Sequence, residues 1–319
     1  MTLSLWERLI FSIAYAWIVL RHPKHFRVLR GRLARQGVRS NPALPRCAED
    51  KGLWRRVLDH DPRFVTTSDK IAVKDWVTSV CPDVRIPKVL WQGTNPDDLP
   101  EEIVKGTCVV KTNNGCRTNT FVRAGDPDHA TIVERGRAHI AMNHAKRNYE
   151  WGYLSIQPKL FVEEMIPGEG PLTDMKIHTV GGDIVYFLCL ADRFGTPRRC
   201  YWEPDDDGGW RPSELKPHDG SDPDPSTWPD NAAEALDIAR RLGAHFDYMR
   251  VDLLTDGQSV WFGELTAYPG GGRWHEIGHL AEHPLNTGWD LRKSWLLSTP
   301  QRGFWRLYCN ALRNVLDRA

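Results

Sequence analysis

The chain has 319 residues, 41% of them hydrophobic and 26% charged, with a formal net charge of +1. That length and composition exclude a low-complexity or disordered chain and leave room for two subdomains with a substantial core. The near-neutral balance argues against nucleic acid as the main partner, and seven scattered cysteines without a C-x-x-C pair argue against a disulfide framework or zinc ribbon.

Residues 1–60 read as helical, broken at Asn41–Pro45. The apolar run Leu9–Leu20 is too short to span a bilayer, for which about 20 residues are needed. It has no basic stretch before it and no cleavage site after it, so it does not read as a signal peptide. A basic, acid-free stretch follows. Two readings stand: a peripheral helix lying on an anionic cytoplasmic membrane face, or a helix packed on the main domain with a solvated basic tail.

Next come a helix over "TSDKIAVKDWVTSV", capped by Ser68 or Asp69, and a turn and strand over "CPDVRIPKVLWQG". "GTCVVKTNNGCRTNTFVR" reads as strand, glycine turn and strand, and "AHIAMNHAKRNYEWGYL" as helix. "PKLFVEEMIPG" is a buried strand ending in a turn at Pro167-Gly168, and "DMKIHTVGGDIVYFLCLADR" a hairpin about Gly181-Gly182-Asp183. The acidic, Pro/Gly-rich segment 203–230 reads as a loop or lid, with Trp202, Trp210 and Trp228 stacking on a ligand or capping the core. A helix over "NAAEALDIARRLGAHF" stops at Gly243, and residues 284–319 are helical. Strands and helices mix without strict alternation, which makes the fold class α+β.

The hairpin "YMRVDLLTDGQSVWFGELTAYPGGG" carries an acid on each arm, Asp252 and Glu264. An odd loop centred on Gln258 segregates the faces: Met249, Val251 and Leu253 with Trp261, Gly263 and Leu265 on one, and Arg250, Asp252 and Leu254 with Phe262, Glu264 and Thr266 on the other. Asp252 then lies opposite Glu264, roughly 5 Å away at Cβ, where two carboxylates repel. A divalent cation between them reverses the sign, and Arg250 beside them can hold phosphate oxygens. The competing reading is a solvated ion-pair cluster. Lys111, before a loop with Asn114 and Gly115, and Lys176, in "TDMK" with Asp174, can supply further cations to a phosphate.

These segments together ("DKIAVKDWV", "VVKTNNG", "FVEEMIPG", "TDMKIHTV", "ADRF", "RVDLL" and "FGELTAYPGGG", over residues 60–275) resemble the ATP-grasp superfamily, and within it the TupA-like branch of teichuronopeptide and polysaccharide biosynthesis. The resemblance implies two α+β subdomains gripping ATP: residues 61–158 and 159–283, between helical extensions 1–60 and 284–319. It implies Lys111, Asn114, Gly115, Asp174 and Lys176 around the phosphates, and Glu163, Glu164 and the Ile166 backbone on the base and ribose. Arg193 and Arg250 would steady the transferred phosphate, and Asp252, Glu264 and Thr266 would hold Mg²⁺. The family usually has Asn where Thr266 stands, and small residues where Cys116 and Arg117 stand. The implied chemistry joins a carboxylate to an amine through an acyl phosphate, on a sugar carboxylate and an amino acid, in the cytoplasm. Two other classes remain open. One is a zinc hydrolase built on His275-Glu276-x-x-His279 with His283. The other is an ATP-grasp kinase or nucleotide-binding scaffold.

Overall fold

The computed structural model of the protein describes residues 2–35, 37–142, 149–167, 172–215, 221–271, 274 and 282–318. It is an α+β fold with two antiparallel sheets. The smaller has the order β1-β4-β2-β3: β1 (Val89–Gly93), β2 (Cys108–Thr112), β3 (Thr120–Val122) and β4 (Leu160–Glu164). The larger has the order β10-β9-β5-β6-β7-β8: β5 (Thr173–Val180), β6 (Asp183–Ala191), β7 (Arg198–Pro204), β8 (Trp210–Pro212), β9 (Met249–Thr255) and β10 (Val260–Thr266). The chain changes sheets between Glu164 and Thr173.

The larger sheet has one dry face. Met175, Ile177, Phe187, Cys189, Cys200, Met249, Val251 and Leu253 alternate along its strands and pack on the helix Ala232–Gly243. That helix buries Ala232, Ala235, Leu236, Ala239 and Leu242, an i, i+3, i+4 stripe. It ends close against the sheet: a Cβ on Gly243 would run into Thr179, whose hydroxyl donates to Met249 O at 2.8 Å. The β5–β6 turn matches its sequence reading, with Gly181 and Gly182 both at positive φ, 60° and 96°.

Three elements differ from their sequence reading. The helix expected over 138–154 lies earlier, at His129–Ile140, where Asp128 caps the Thr131 amide at 2.8 Å and Ile132, Val133 and Gly136 face the small sheet's core. Of the expected span, residues 143–148 lie outside the described residues and Trp151–Tyr153 form a 3₁₀ turn. Within segment 203–230, Asp205 accepts from the amide of Gly209 at 2.6 Å and closes a hairpin whose arms β7 and β8 extend the large sheet. Trp202 there is core: it meets Trp228 at 4.6 Å between ring centroids, and Trp210 meets Phe187 at 4.9 Å. The helix after Asp69 starts at Ala72, with the Asp69 carboxylate accepting from the Ile71 and Ala72 amides at 2.9 and 3.2 Å.

A helical layer covers the other face of the large sheet beyond the charged residues. It joins helices Leu5–Arg21, Pro23–Arg35 and Ala48–Val57 to Gly303–Leu316 in one apolar cluster with Tyr186, Tyr201, Tyr248 and Trp289. Arg55 fastens this layer to the sheet. Wholly buried, it donates to Tyr248 O at 2.9 Å and to the Asp247 carboxylate, and its guanidinium lies 4.7 Å from the Trp289 ring centroid. Trp289 Nε1 completes the group by donating to Asp247 Oδ2 at 2.7 Å. Removing one side of a buried pair leaves the other charge uncompensated. Arg55→Met is therefore expected to lose about 3–5 kcal/mol in urea unfolding, whereas an unchanged midpoint would show that the pair does not hold the layer.

Candidate active site

The charged residues gather on the face of β5, β9 and β10 opposite the helix Ala232–Gly243, where they are half-buried, and on the strand ends of the small sheet. Lys176, Asp252 and Glu264 form one cross-strand row, since Asp252 pairs with Lys176 on one side and Glu264 on the other. His178, Arg250 and Thr266 form the next.

The expected opposition of Asp252 and Glu264 holds, but it is reached by another route. Thr255 pairs with Val260 across a four-residue loop, and the register then shifts by one between Phe262 and Glu264. In the loop, Asp256 Oδ1 accepts from the Gln258 and Ser259 amides and Gly257 sits at φ 90°. The shift is a β-bulge at Gly263, where the backbone comes so close that a Cβ would stand 2.9 Å from Asp252 O. The bulge exchanges two residues relative to the odd-loop reading. Phe262 joins Val251, Leu253 and Leu265 in the core, while Trp261 pairs with Leu254 on the other face.

Both oxygens of Asp252 are held by Arg250, each at 2.6 Å, and Lys176 Nζ lies 3.5 Å from Oδ2. Burial opposes the charge on Asp252, but these two cations outweigh it and hold its carboxyl below the ordinary value. Thr266 Oγ1 donates to Glu264 Oε1 at 2.9 Å and accepts from Arg250 at 3.3 Å. Its hydroxyl thus links Glu264 to the arginine. Lys70 Nζ stands 3.9 Å from Glu264 Oε2 and donates to Gly115 O. Lys176 also lies 3.9 Å from Asp174, which accepts from Arg193 at 2.9 Å. Beyond Arg193, Phe194 touches Phe121 of β3, their centroids 5.1 Å apart, and so brings the two sheets together again.

On the small sheet, Glu163 is buried and its carboxylate accepts from Lys111 and from Lys74, the latter at 2.9 Å. Burial alone would raise its pKa, but the two ammonium groups bring it below the ordinary carboxylate range. Lys111 and Glu163, expected to face different parts of one ligand, are thus in direct contact. Glu164, on the opposite strand face, accepts from the Lys88 amide at 3.0 Å, and Ile166 is half-buried beyond the strand end. In the loop, Asn113 ties the glycine turn down through Asp69 and Lys159. Asn114 is buried beside it, and its Oδ1 has no partner among the described residues. Cys116 is exposed, and Arg117 takes a left-handed φ of 62°.

Sequence reasoning assigned no role to Lys70 and Lys74. Both follow the Asp69 cap, four residues apart, one reaching Glu264 on the large sheet and the other Glu163 on the small one. The segment "DKIAVK" held that signal, but only the fold discloses what the two lysines face.

A family model described as TupA-like ATPgrasp matches residues 51–283. The chain belongs to the TupA-like ATP-grasp family. No curated protein matches the sequence. Among solved structures, the chain is similar to the ATP-grasp ligase PsnB complexed with minimal precursor, Mg and ADP: 14% identity, TM-score 0.41, 72% of this chain and 60% of that one. It is also similar to an L-amino acid ligase from Bacillus licheniformis (14% identity, TM-score 0.43, 70% and 51% covered). A D-alanine–D-alanine ligase from Bacillus anthracis complexed with ATP matches at 16% identity and TM-score 0.34, with 79% and 67% covered. The chain spans about three fifths of the length of the PsnB chain.

For an ATP-grasp chain, the donors at this site suit a nucleotide with a hard cation. Among the described residues, ion pairs within 4 Å join six cations (Lys70, Lys74, Lys111, Lys176, Arg193 and Arg250) to four carboxylates (Glu163, Asp174, Asp252 and Glu264). That surplus, with the unpartnered Asn114 oxygen, fits a polyphosphate. Among the described residues no three His, Cys, Asp or Glu side chains form a metal cage. Two facing carboxylates nevertheless suffice for Mg²⁺, which takes one or two from protein and the rest from phosphate and water. Of the histidine motif, His275, Glu276 and His279 lie outside the described residues. His283 is buried, and its Nδ1 accepts from the Leu285 amide at 3.1 Å, capping the helix Pro284–Gly288.

The bulge gives a direct test. Gly263→Ala should push the strands apart, destabilise the fold by about 1–3 kcal/mol, and abolish Mg²⁺-dependent binding of an ATP analogue. A variant that binds normally would show that the opposition of Asp252 and Glu264 does not depend on Gly263.

Proposed function

We propose that the chain is an ATP-dependent carboxylate–amine ligase that forms an amide through an acyl phosphate, acting in polysaccharide or cell-surface glycan assembly. The observation that carries this reading is the row Lys176–Asp252–Glu264, backed by Arg250 and approached by Lys70, within a family of ATP-grasp chains. ATP would lie between the sheets. Lys111, Lys74 and the loop at Asn114 and Gly115 would meet its phosphates, and the end of β4 from Glu163 to Ile166 its base and ribose.

Asp252 and Glu264, with Thr266 holding the latter, would carry Mg²⁺, which supplies charge neutralisation on the phosphate oxygens. Arg250 and Lys176 hold Asp252 in the free protein. With nucleotide present they would turn to the γ-phosphate, and Arg193 would steady it from the Asp174 side. A carboxylate oxygen of the first substrate attacks the γ-phosphorus and ADP leaves. The amine nitrogen then attacks the acyl carbon, phosphate departs, and the amine loses a proton. Cations fixed around the transferred group favour both steps, because negative charge concentrates there.

The test follows the oxygen. With a uronic acid labelled with ¹⁸O in its carboxylate, an amino acid and Mg²⁺-ATP, one label should appear in inorganic phosphate for each amide formed. Phosphate without label, or ADP formed together with a stable phosphate ester, would overturn the ligase reading, and the ester would mark a kinase.

A further inference from the structure

The N-terminal helix packs on the domain with one face and exposes another. Leu5–Arg21 packs on the domain through Ile10, Phe11, Ala14 and Ile18. Leu5, Leu9, Ile13, Ala16 and Leu20, three or four residues apart, form the opposite face and are exposed, with Leu5 at 85%, Leu9 at 51%, Ile13 at 47% and Leu20 at 79%. Trp6, 58% exposed, stands beside them. A water-facing surface helix would carry polar residues there.

Charge identifies what covers this face. Residues 8–48 hold nine arginines and lysines and no acid, although the whole chain is near neutral. The helix Pro23–Arg35 buries Phe26, Leu29 and Leu33 and leaves Lys24, Arg27, Val28, Arg30 and Arg35 exposed. Where the two helices and the turn after them meet, a cavity of about 410 Å³ is lined by Tyr15, Arg30, Gly37, Val38, Arg39 and Ser40. The neighbouring acids are buried and engaged: Glu7 with Ser4 and Arg318, Glu49 with Arg32, and Asp50 with Ser40 and Asn41. Among the described residues no helix is long and apolar enough to cross a membrane.

We propose that this face docks on an anionic lipid surface. The stripe from Leu5 to Leu20 would lie in the interface plane, and Arg30 and Arg39 would offer the adjacent cavity to a phosphate headgroup. An apolar stripe alone would equally fit a second copy of the chain. The exposed Lys24, Arg27, Arg30 and Arg35 on the adjoining helix, with Arg39 after it, favour an anionic surface over a patch that carries the same charge.

Co-sedimentation with phosphatidylcholine vesicles, and with phosphatidylcholine–phosphatidylserine vesicles, tests this on the full chain. Binding to the anionic vesicles alone is expected. It should fall about tenfold or more in high salt, in Leu9→Ser/Ile13→Ser, and in Arg30→Glu/Arg39→Glu. The substituted residues are exposed or line the cavity, and an unchanged unfolding midpoint confirms that each variant folds. Absence of binding to anionic vesicles, or binding that neither pair of substitutions weakens, would overturn the proposal. So would a concentration-dependent dimer in sedimentation velocity that Leu9→Ser/Ile13→Ser dissolves.

Discussion

Two carboxylates facing each other across a half-buried sheet repel, and the charged site is organised around that repulsion. Asp252 and Glu264 sit side by side because the strand bulges at Gly263. Their charge is balanced from three directions, by Arg250 on the same strand as Asp252, Lys176 on the next, and Lys70 from the segment that follows the Asp69 cap. Removing these cations would drive a proton onto Asp252 or push the strands apart. The arrangement stores cations beside the acids that a metal would otherwise neutralise.

The small sheet repeats the theme with opposite proportions. There one buried carboxylate, Glu163, holds two lysines, Lys74 and Lys111. A polyphosphate between the sheets would meet ammonium groups from one side and facing acids, bridged by a cation, from the other. Lys70 and Lys74 tie the halves together because one short segment, capped by Asp69, supplies both. In the large sheet, the dry face under helix Ala232–Gly243 holds the strands from one side and the Arg55–Asp247–Trp289 group from the other.

Local patterns carried much of this into the sequence. The Gly181-Gly182 turn, the alternation along β9, and the pairing of Asp252 with Glu264 were all legible, because strand period and turn chemistry are short-range properties. The pairing matches the odd-loop reading although the loop is even: a bulge substitutes for the odd residue count, and a lone glycine within a strand is its only trace in the sequence. The hairpin β7–β8 was hidden because its turn is all Asp and Gly and prolines end both strands, while its strand residues Trp202 and Trp210 read as isolated aromatics. The partners of Lys70, Lys74 and Glu163 were not legible at all, since their contacts span up to 194 positions, a separation that only the folded topology closes.

The central claim is that Asp252 and Glu264 hold a divalent cation together with a nucleotide. Isothermal titration of a non-hydrolysable ATP analogue, with and without Mg²⁺, tests it on the wild type, Asp252→Asn and Glu264→Gln. Mg²⁺-dependent binding to the wild type is expected, with at least about a tenfold loss in each variant, the equivalent of 1.4 kcal/mol. Binding of equal strength without Mg²⁺, or undiminished in both variants, would contradict it.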